Sequence, residues 1–216
     1  MHAITTHRQM KKHARCGFTL TEIAIVLGII GIVLGAIWAA ASRVYANNKT
    51  QRAAAQALQI ANNYKMLWAE TGIDIVGTWT DVTCMGVNSG LFPSDMIPSA
   101  ACVTDASARN PPGPSTGEPA YPQTPWGGNS YVTVQTHQTN NTIIVSYWNL
   151  SQAACNSFAN ALYSSSADIT YEYLGSPAIS QWFPPYGAGT RWTASQIGAA
   201  CSAANNNAVQ VGISAR

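Results

Sequence analysis

The sequence predicts an α+β protein in which one long N-terminal helix, half of it suited to a membrane, packs on an antiparallel β-sheet head. Three observations lead to this prediction. Residues 23–41 form an uncharged apolar run, which continues directly into a segment with helical periodicity. Short runs of β-branched and aromatic residues follow, bounded by turn residues. A helix first and strands afterwards is the order typical of an α+β domain.

The composition favours an exported protein and argues against a nucleic acid partner. The chain has 216 residues, and only 9% are charged, against roughly 25% in ordinary soluble domains. Residues 1–17 contain four basic side chains and no acid, whereas residues 18–216 contain seven Lys or Arg and nine Asp or Glu. Because the later part carries a net charge of −2, we expect no direct binding of nucleic acid.

The apolar run is long enough to cross a membrane. Its nineteen residues would span about 28 Å as a helix, close to the thickness of the hydrocarbon layer. An ordinary signal peptide has a shorter apolar stretch followed by a small-residue cleavage site. A lipoprotein signal at Cys16 is disfavoured because the preceding residues, KKHAR, are not apolar. An uncleaved anchor stays open. In either case we expect the basic leader in the cytoplasm and the rest outside.

The six residues before this run are GFTLTE, residues 17–22. With the basic leader and the apolar run, their order resembles the processing site of type IV prepilins, where a dedicated peptidase cuts after the glycine and methylates the new amine. The resemblance places the cut between Gly17 and Phe18 and makes Glu22 the fifth mature residue, where the family carries a glutamate. It implies a prepilin peptidase, an inner-membrane assembly platform and identical subunits in a filament as partners, and no cofactor.

The chemistry of Glu22 agrees with that resemblance. A carboxylate in a membrane-embedded helix costs about 2.5–3.5 kcal/mol, so such a group usually has a partner. The nearby cation in the mature chain would be the α-amine of Phe18. The resemblance implies that this amine belongs to a neighbouring subunit, which would fix the register of the filament. The alternative is that Glu22 reaches the lipid headgroups.

The helix is predicted to continue to about Glu70. An apolar stripe at helical spacing supports this, with Asn62, Asn63 and Gln56 expected away from the stripe. The stripe consists of Ala53, Ala57, Ile60, Tyr64 and Leu67. Basic residues beyond the apolar run, among them Arg52, are expected either to contact the acids of a neighbour or to face solvent or headgroups.

The remaining residues predict the head. Residues 73–130 are rich in turn residues and are expected to connect helix and sheet. Strands are predicted at residues 131–136 and 142–148 (a hairpin closed by residues 137–141), 168–174 and 208–213, with a helix capped by Ser151 at residues 152–163. The predicted organisation is a leader at residues 1–17, a helix at 18–70 and a head at 71–216.

A second resemblance concerns the head. Residues 125–128 read PWGG, and residues 149–151, NLS, precede Cys155. Both features are similar to type IVb pilins, especially the conjugative thin-pilus group. The seventeen-residue leader and Phe18 look more like type IVa pilins, so the subclass stays open.

Four cysteines follow the expected cut: Cys84, Cys102, Cys155 and Cys201. An even number in an exported protein indicates disulfides, and four cysteines allow three connectivities. We favour 84–102, which closes a local loop, and 155–201, which is like the disulfide-bounded C-terminal region of the family. No CxxC or paired-histidine spacing indicates a metal site.

The predicted function is structural. His137 is the single histidine after the leader, and no nucleophile-elbow motif is present, so we expect no catalytic residue. The resemblance implies a pilus subunit, inserted in inner-membrane lipid as a precursor with a periplasmic head and then placed in an extracellular filament. We favour the major pilin. The alternatives are a minor or tip pilin, a secretion-system pseudopilin and, less favoured, an anchored periplasmic enzyme.

Overall fold

The computed structural model describes residues 19–71, 80–97, 102, 121–137, 142–165, 169–175 and 193–214. The chain divides after Val44 into two compact units. The described part of the first unit is the beginning of helix α1 (Leu20–Thr71), and the rest of α1 belongs to the second unit. Each unit has its own character.

In the first unit, α1 is exposed on all sides. Residues 19–48 are all exposed, a stretch that extends a few residues into the second unit. The helix is continuous because this segment contains no proline and consists mostly of alanine and larger apolar residues. The long N-terminal helix predicted from the sequence is therefore confirmed.

The described residues of the second unit form a five-stranded sheet and three shorter helices. The strands are β1 (Thr80–Asp81), β2 (Tyr131–His137), β3 (Thr142–Leu150), β4 (Ile169–Gly175) and β5 (Asn207–Ser214). The helices are α2 (Thr83–Asn88), α3 (Gln152–Ser165) and α4 (Ala194–Ala200). The strand order is β1-β2-β3-β5-β4, and every pair is antiparallel.

The four longer strands and α3 confirm the predicted elements of the head. In the hairpin, β2 and β3 pair from Tyr131 opposite Trp148 to His137 opposite Thr142. His137 is thus the last residue of a strand, and its predicted place in the loop was wrong. The Ser151 hydroxyl accepts the N–H of Ala154 (3.3 Å) at the start of α3, as expected for a cap.

The core of the second unit lies between α1 and one face of the sheet. The predicted stripe on α1 is buried at Ala53, Ala57, Ile60 and Tyr64, while Leu67 is half-buried. The sheet contributes Val132, Val134, Ile143, Val145 and Tyr147. The Tyr147 hydroxyl donates to the backbone oxygen of Ala53 (3.1 Å), which joins the sheet to the helix through a buried hydrogen bond.

Two predictions about the helix surface and the connection were wrong. Gln56 is only 5% exposed, because Asp95 lies over this side of α1 and accepts from the Gln56 amide (2.9 Å). Residues 80–97, predicted as connection, contain β1 and α2. This segment is held to α1 by the Asn63 amide, which donates to Leu91 O (2.7 Å), and by the Tyr64 hydroxyl, which donates to Val82 O (2.8 Å).

The second face of the sheet is also buried, although its side chains are mixed polar and aromatic. Thr133 and Ser146 are fully buried there, and the Trp148 indole N–H donates to the Thr133 hydroxyl (2.8 Å). Tyr121, Tyr131 and Trp148 stack in a row, with ring centroids 5.4 and 6.5 Å apart. In the described strands the sheet is therefore a middle layer.

Two disulfide bonds join Cys84 to Cys102 and Cys155 to Cys201, in the pairing favoured from the sequence. The first attaches α2 to Cys102. The second joins α3 to Cys201, the residue that directly follows α4. Each bond restricts how far the two segments that it joins can separate.

Candidate processing and assembly segment

The start of α1 is a capping box formed by Thr19 and Glu22. The Thr19 hydroxyl accepts the backbone N–H of Glu22 (3.2 Å), while the backbone N–H of Thr19 donates to Glu22 Oε2 (2.8 Å). The Thr19 hydroxyl also donates to the same oxygen (2.9 Å). These bonds satisfy polar groups at the helix start that have no partner within the helix itself. The negative charge also lies at the positive end of the helix dipole.

Glu22 is the single charged residue in residues 19–42. Around it the surface of α1 is apolar: every large apolar side chain from Leu20 to Tyr45 is exposed, with Leu20 at 87% and Trp38 at 79%. Among the described helices, α1 alone is long and apolar enough to cross a membrane. An exposed surface of this size is unfavourable in water, so it needs lipid or other apolar helices around it.

The other two residues predicted for this segment, Gly17 and Phe18, lie outside the described residues. Their assignment rests on the sequence motif. The structure brings Glu22 next to Thr19, the first described residue.

The basic residues beyond the apolar surface have contacts within their own chain. Arg52 forms an ion pair with Asp95, and Lys49 lies over the ring of Tyr45, 4.6 Å from its centroid. Both Arg52 and Asp95 are well exposed, so this pair adds at most about 1 kcal/mol. Arg52 was expected to contact either a neighbouring subunit or solvent. Its ion pair with Asp95 of the same chain was not predicted.

The PWGG turn precedes β2 and borders an open groove of about 540 Å³. Gly127 and Gly128 both have positive φ (70° and 66°), a conformation that glycine adopts without strain. Across the groove, Asn149 is also left-handed (φ 58°), and its amide donates to Asn129 O (3.1 Å). Among the described residues that line it there is no charged side chain, so the groove offers uncharged polar groups beside the apolar side chains of Trp126 and Leu150.

No cluster of metal-binding side chains occurs in the described part of the chain. Burial raises the pKa of the Tyr147 phenol well above its ordinary value, so this side chain is neutral. Its role is the hydrogen bond to α1 and an edge contact with the Phe158 ring, 4.6 Å between centroids. Among the described residues of the segment, Thr19 and Glu22 cap the helix and the apolar side chains can insert into lipid.

Sequence reasoning found Glu22 but missed its local partner. The spacing Thr19-x-x-Glu22 before an apolar run is a capping-box pattern that is visible in the sequence alone.

The comparison with known protein families concerns the start of the chain. Residues 12–38 match the family described as the prokaryotic N-terminal methylation motif. The match begins in the basic leader and ends at Trp38, so it covers the capping box and most of the apolar run. Comparisons with curated proteins and with solved structures gave no match.

Proposed function

We propose that this type IV pilin-like chain is a filament subunit that is made as an inner-membrane precursor and polymerises through α1. The observation that carries the proposal is the methylation motif at residues 12–38 on the same segment as an exposed apolar helix with a single carboxylate near its start. This motif supports a structural subunit of the pilin or pseudopilin type, processed by a prepilin peptidase.

In the proposed processing step, the peptidase cleaves between Gly17 and Phe18 and methylates the amine of Phe18. The leader contains Arg8, Lys11, Lys12 and Arg15, which hold it on the cytoplasmic side. Cleavage removes these cations and leaves the new amine one peptide unit from Thr19. The mature chain then has one cation and one carboxylate at the start of an otherwise apolar helix.

In the proposed assembly step, α1 leaves the bilayer and packs among the α1 helices of other subunits. The exposed apolar surface remains out of water in both places, so the transfer exchanges lipid contacts for helix contacts. Glu22 pairs with the Phe18 amine of a neighbouring subunit, which selects one axial register because an unpaired charge in an apolar core is costly. The head, residues 71–216, remains periplasmic until it becomes the filament surface.

Within the family, we assign the chain to the major pilins, with a head of type IVb character. The support is a modest head on a strong polymerisation segment, together with the PWGG turn and the NLS segment that border the groove. A minor or tip pilin, or a pseudopilin, would have the same N-terminus but would be rare in filaments.

The first test is N-terminal sequencing of filaments sheared from the cell surface. We expect an abundant chain that begins with a methylated Phe18. The control is Gly17→Glu, which should accumulate as uncleaved precursor because the residue beside the cut must be small. A surface chain that still carries its leader would contradict the proposal, and a rare chain would indicate a minor subunit.

The second test is Glu22→Ala. Removal of a costly charge should leave the membrane level unchanged. In the filament it leaves a neighbouring amine unpaired, which typically costs about 3–5 kcal/mol at every subunit. We therefore expect normal cleavage and few filaments by electron microscopy. Abundant filaments of the variant alone would contradict the assembly role of Glu22.

A further inference from the structure

We propose that Thr19 is a positioning residue for Glu22: it holds one carboxylate oxygen at the helix start and leaves the other oxygen for the charge partner. This inference rests on the proposed function, since it concerns the same carboxylate. It adds a second residue to the assembly chemistry, with a role that is separate from the charge.

The hydrogen bonds define this role. Both bonds that Glu22 accepts from Thr19 end on the same oxygen, Oε2, and the backbone N–H of Glu22 returns a bond to the Thr19 hydroxyl. Three bonds between two residues restrict the direction of the Glu22 side chain. The second oxygen, Oε1, makes no hydrogen bond among the described residues, and so one acceptor is left for another donor.

The surroundings make this arrangement more important than an ordinary exposed cap. The neighbouring side chains from Leu20 onward are apolar and exposed, so in lipid or in a packed bundle there is little water to replace a missing hydrogen bond. Without the hydrogen bonds from Thr19, the Glu22 side chain would populate several rotamers. Contact with a neighbouring subunit would then have to order the side chain, at a cost in conformational entropy. The hydrogen bonds with Thr19 order the Glu22 side chain before the subunits come into contact.

The spacing in the chain fits the proposal. Thr19 follows Phe18 in the sequence, so the side chain that caps α1 is adjacent in sequence to the predicted mature N-terminus. The local donors occupy Oε2 and keep Glu22 near the helix start. The unused oxygen can then accept from the amine of a second copy.

The test compares Thr19→Val, which keeps the shape and loses the hydroxyl, with Thr19→Ser, which keeps the hydroxyl. Thr21→Val is the matched control, because the Thr21 side chain takes no part in the capping box. Each full-length variant is co-expressed with the wild type. The readouts are the mature N-terminus, the membrane level and the share of variant subunits in sheared filaments.

We expect Thr19→Val to be cleaved and inserted normally but to enter filaments about fivefold less than wild type, the ratio that loss of a cap of typical strength predicts. Thr19→Ser and Thr21→Val should enter at close to the wild-type share. Wild-type incorporation of Thr19→Val, or a loss that Thr19→Ser shares, would overturn the positioning role.

A double-variant cycle with Glu22→Gln separates this inference from the proposed function. Glutamine keeps the capping pattern and removes the charge. If Thr19 acts through the charge, Thr19→Val should reduce incorporation in the wild-type background and add little in the Glu22→Gln background. An equal reduction in both backgrounds would show that Thr19 is only a helix cap, while the charge role stands. Normal incorporation of Glu22→Gln itself would instead overturn the charge role.

Discussion

At position 86 the backbone passes so close to Tyr64 that a β-carbon there would overlap the phenol oxygen. Tyr64 is fully buried, and its hydroxyl donates to Val82 O, four residues before Gly86. Its ring also meets the edge of Phe92, 6.2 Å between centroids. Glycine at this position therefore lets α2 approach α1, a requirement that no pattern in the sequence indicates.

We predict that Gly86→Ala destabilises the second unit by about 1–3 kcal/mol, because the Tyr64 ring or α2 must move. Gly198→Ala is the matched control. Gly198 lies in α4 with open space around its β-carbon position, so alanine there should be neutral or slightly stabilising. Urea unfolding of the purified full-length protein in detergent, followed by near-UV circular dichroism, compares the two. Equal midpoints would contradict the overlap.

Tyr147 predicts how stability changes in alkali. Burial raises the pKa of its phenol, whereas in the unfolded chain the pKa is about 10. Above pH 10 the unfolded state therefore releases a proton that the folded state retains. The free energy of unfolding should fall by about 1.4 kcal/mol per pH unit from this residue, and should not change below pH 9.

Tyr147→Phe tests this effect. The variant should lose about 1 kcal/mol at neutral pH with its hydrogen bond to Ala53, and its stability should fall less steeply above pH 10. Tyr45→Phe, at an exposed tyrosine, is the control and should keep the wild-type slope. Identical slopes for both variants between pH 10 and 11.5 would contradict the prediction.

At the scale of elements, the sequence predicted the helices and strands that have a clear hydrophobic period and missed the short elements that have none. The β2–β3 hairpin, α3, β4 and β5 are long enough for alternation or helical spacing to show. Helices α2 and α4 have six and seven residues, too few for a period. The one local signal was the capping box formed by Thr193 and Gln196 at the start of α4. Non-local features, the disulfides among them, hold these short helices in place.

The second disulfide should stabilise the head more than the first. Cys155–Cys201 closes a separation of 46 residues and Cys84–Cys102 one of 18. The chain-entropy relation gives about 4 and about 3 kcal/mol. We expect the double variant Cys155→Ser/Cys201→Ser to unfold at lower urea than Cys84→Ser/Cys102→Ser. The reverse order would show that packing around α2, rather than loop length, dominates.

At the scale of the whole molecule, the fold class was predictable because two strong signals occur in separate parts of the chain. The apolar run predicts a helix without an internal partner, and the alternating runs predict a sheet. The burial of both sheet faces was not predictable, because Thr133 and Ser146 read as an outward polar face. The subclass stays a prediction, since the PWGG turn and Phe18 favour different groups.

Of the candidate site, the roles of Gly17, Phe18 and Glu22 stay predictions; the motif can be recognised because its order and spacing are local properties of the sequence. The contacts of Arg52 and Gln56 were not predictable, because Asp95 is about forty residues away along the chain. Only a tertiary fold brings these groups together.

The change in α1 near Tyr45 has a practical consequence for handling the protein in water. The run of exposed apolar side chains ends at Tyr45, and the residues of the main core begin at Ala53. A chain that begins at Tyr45 would keep every residue of that core and all four disulfide cysteines. We expect it to be monodisperse without detergent by size-exclusion chromatography and to show a cooperative thermal transition. Aggregation of this oxidised chain would indicate that the head depends on the apolar part of α1 for its solubility.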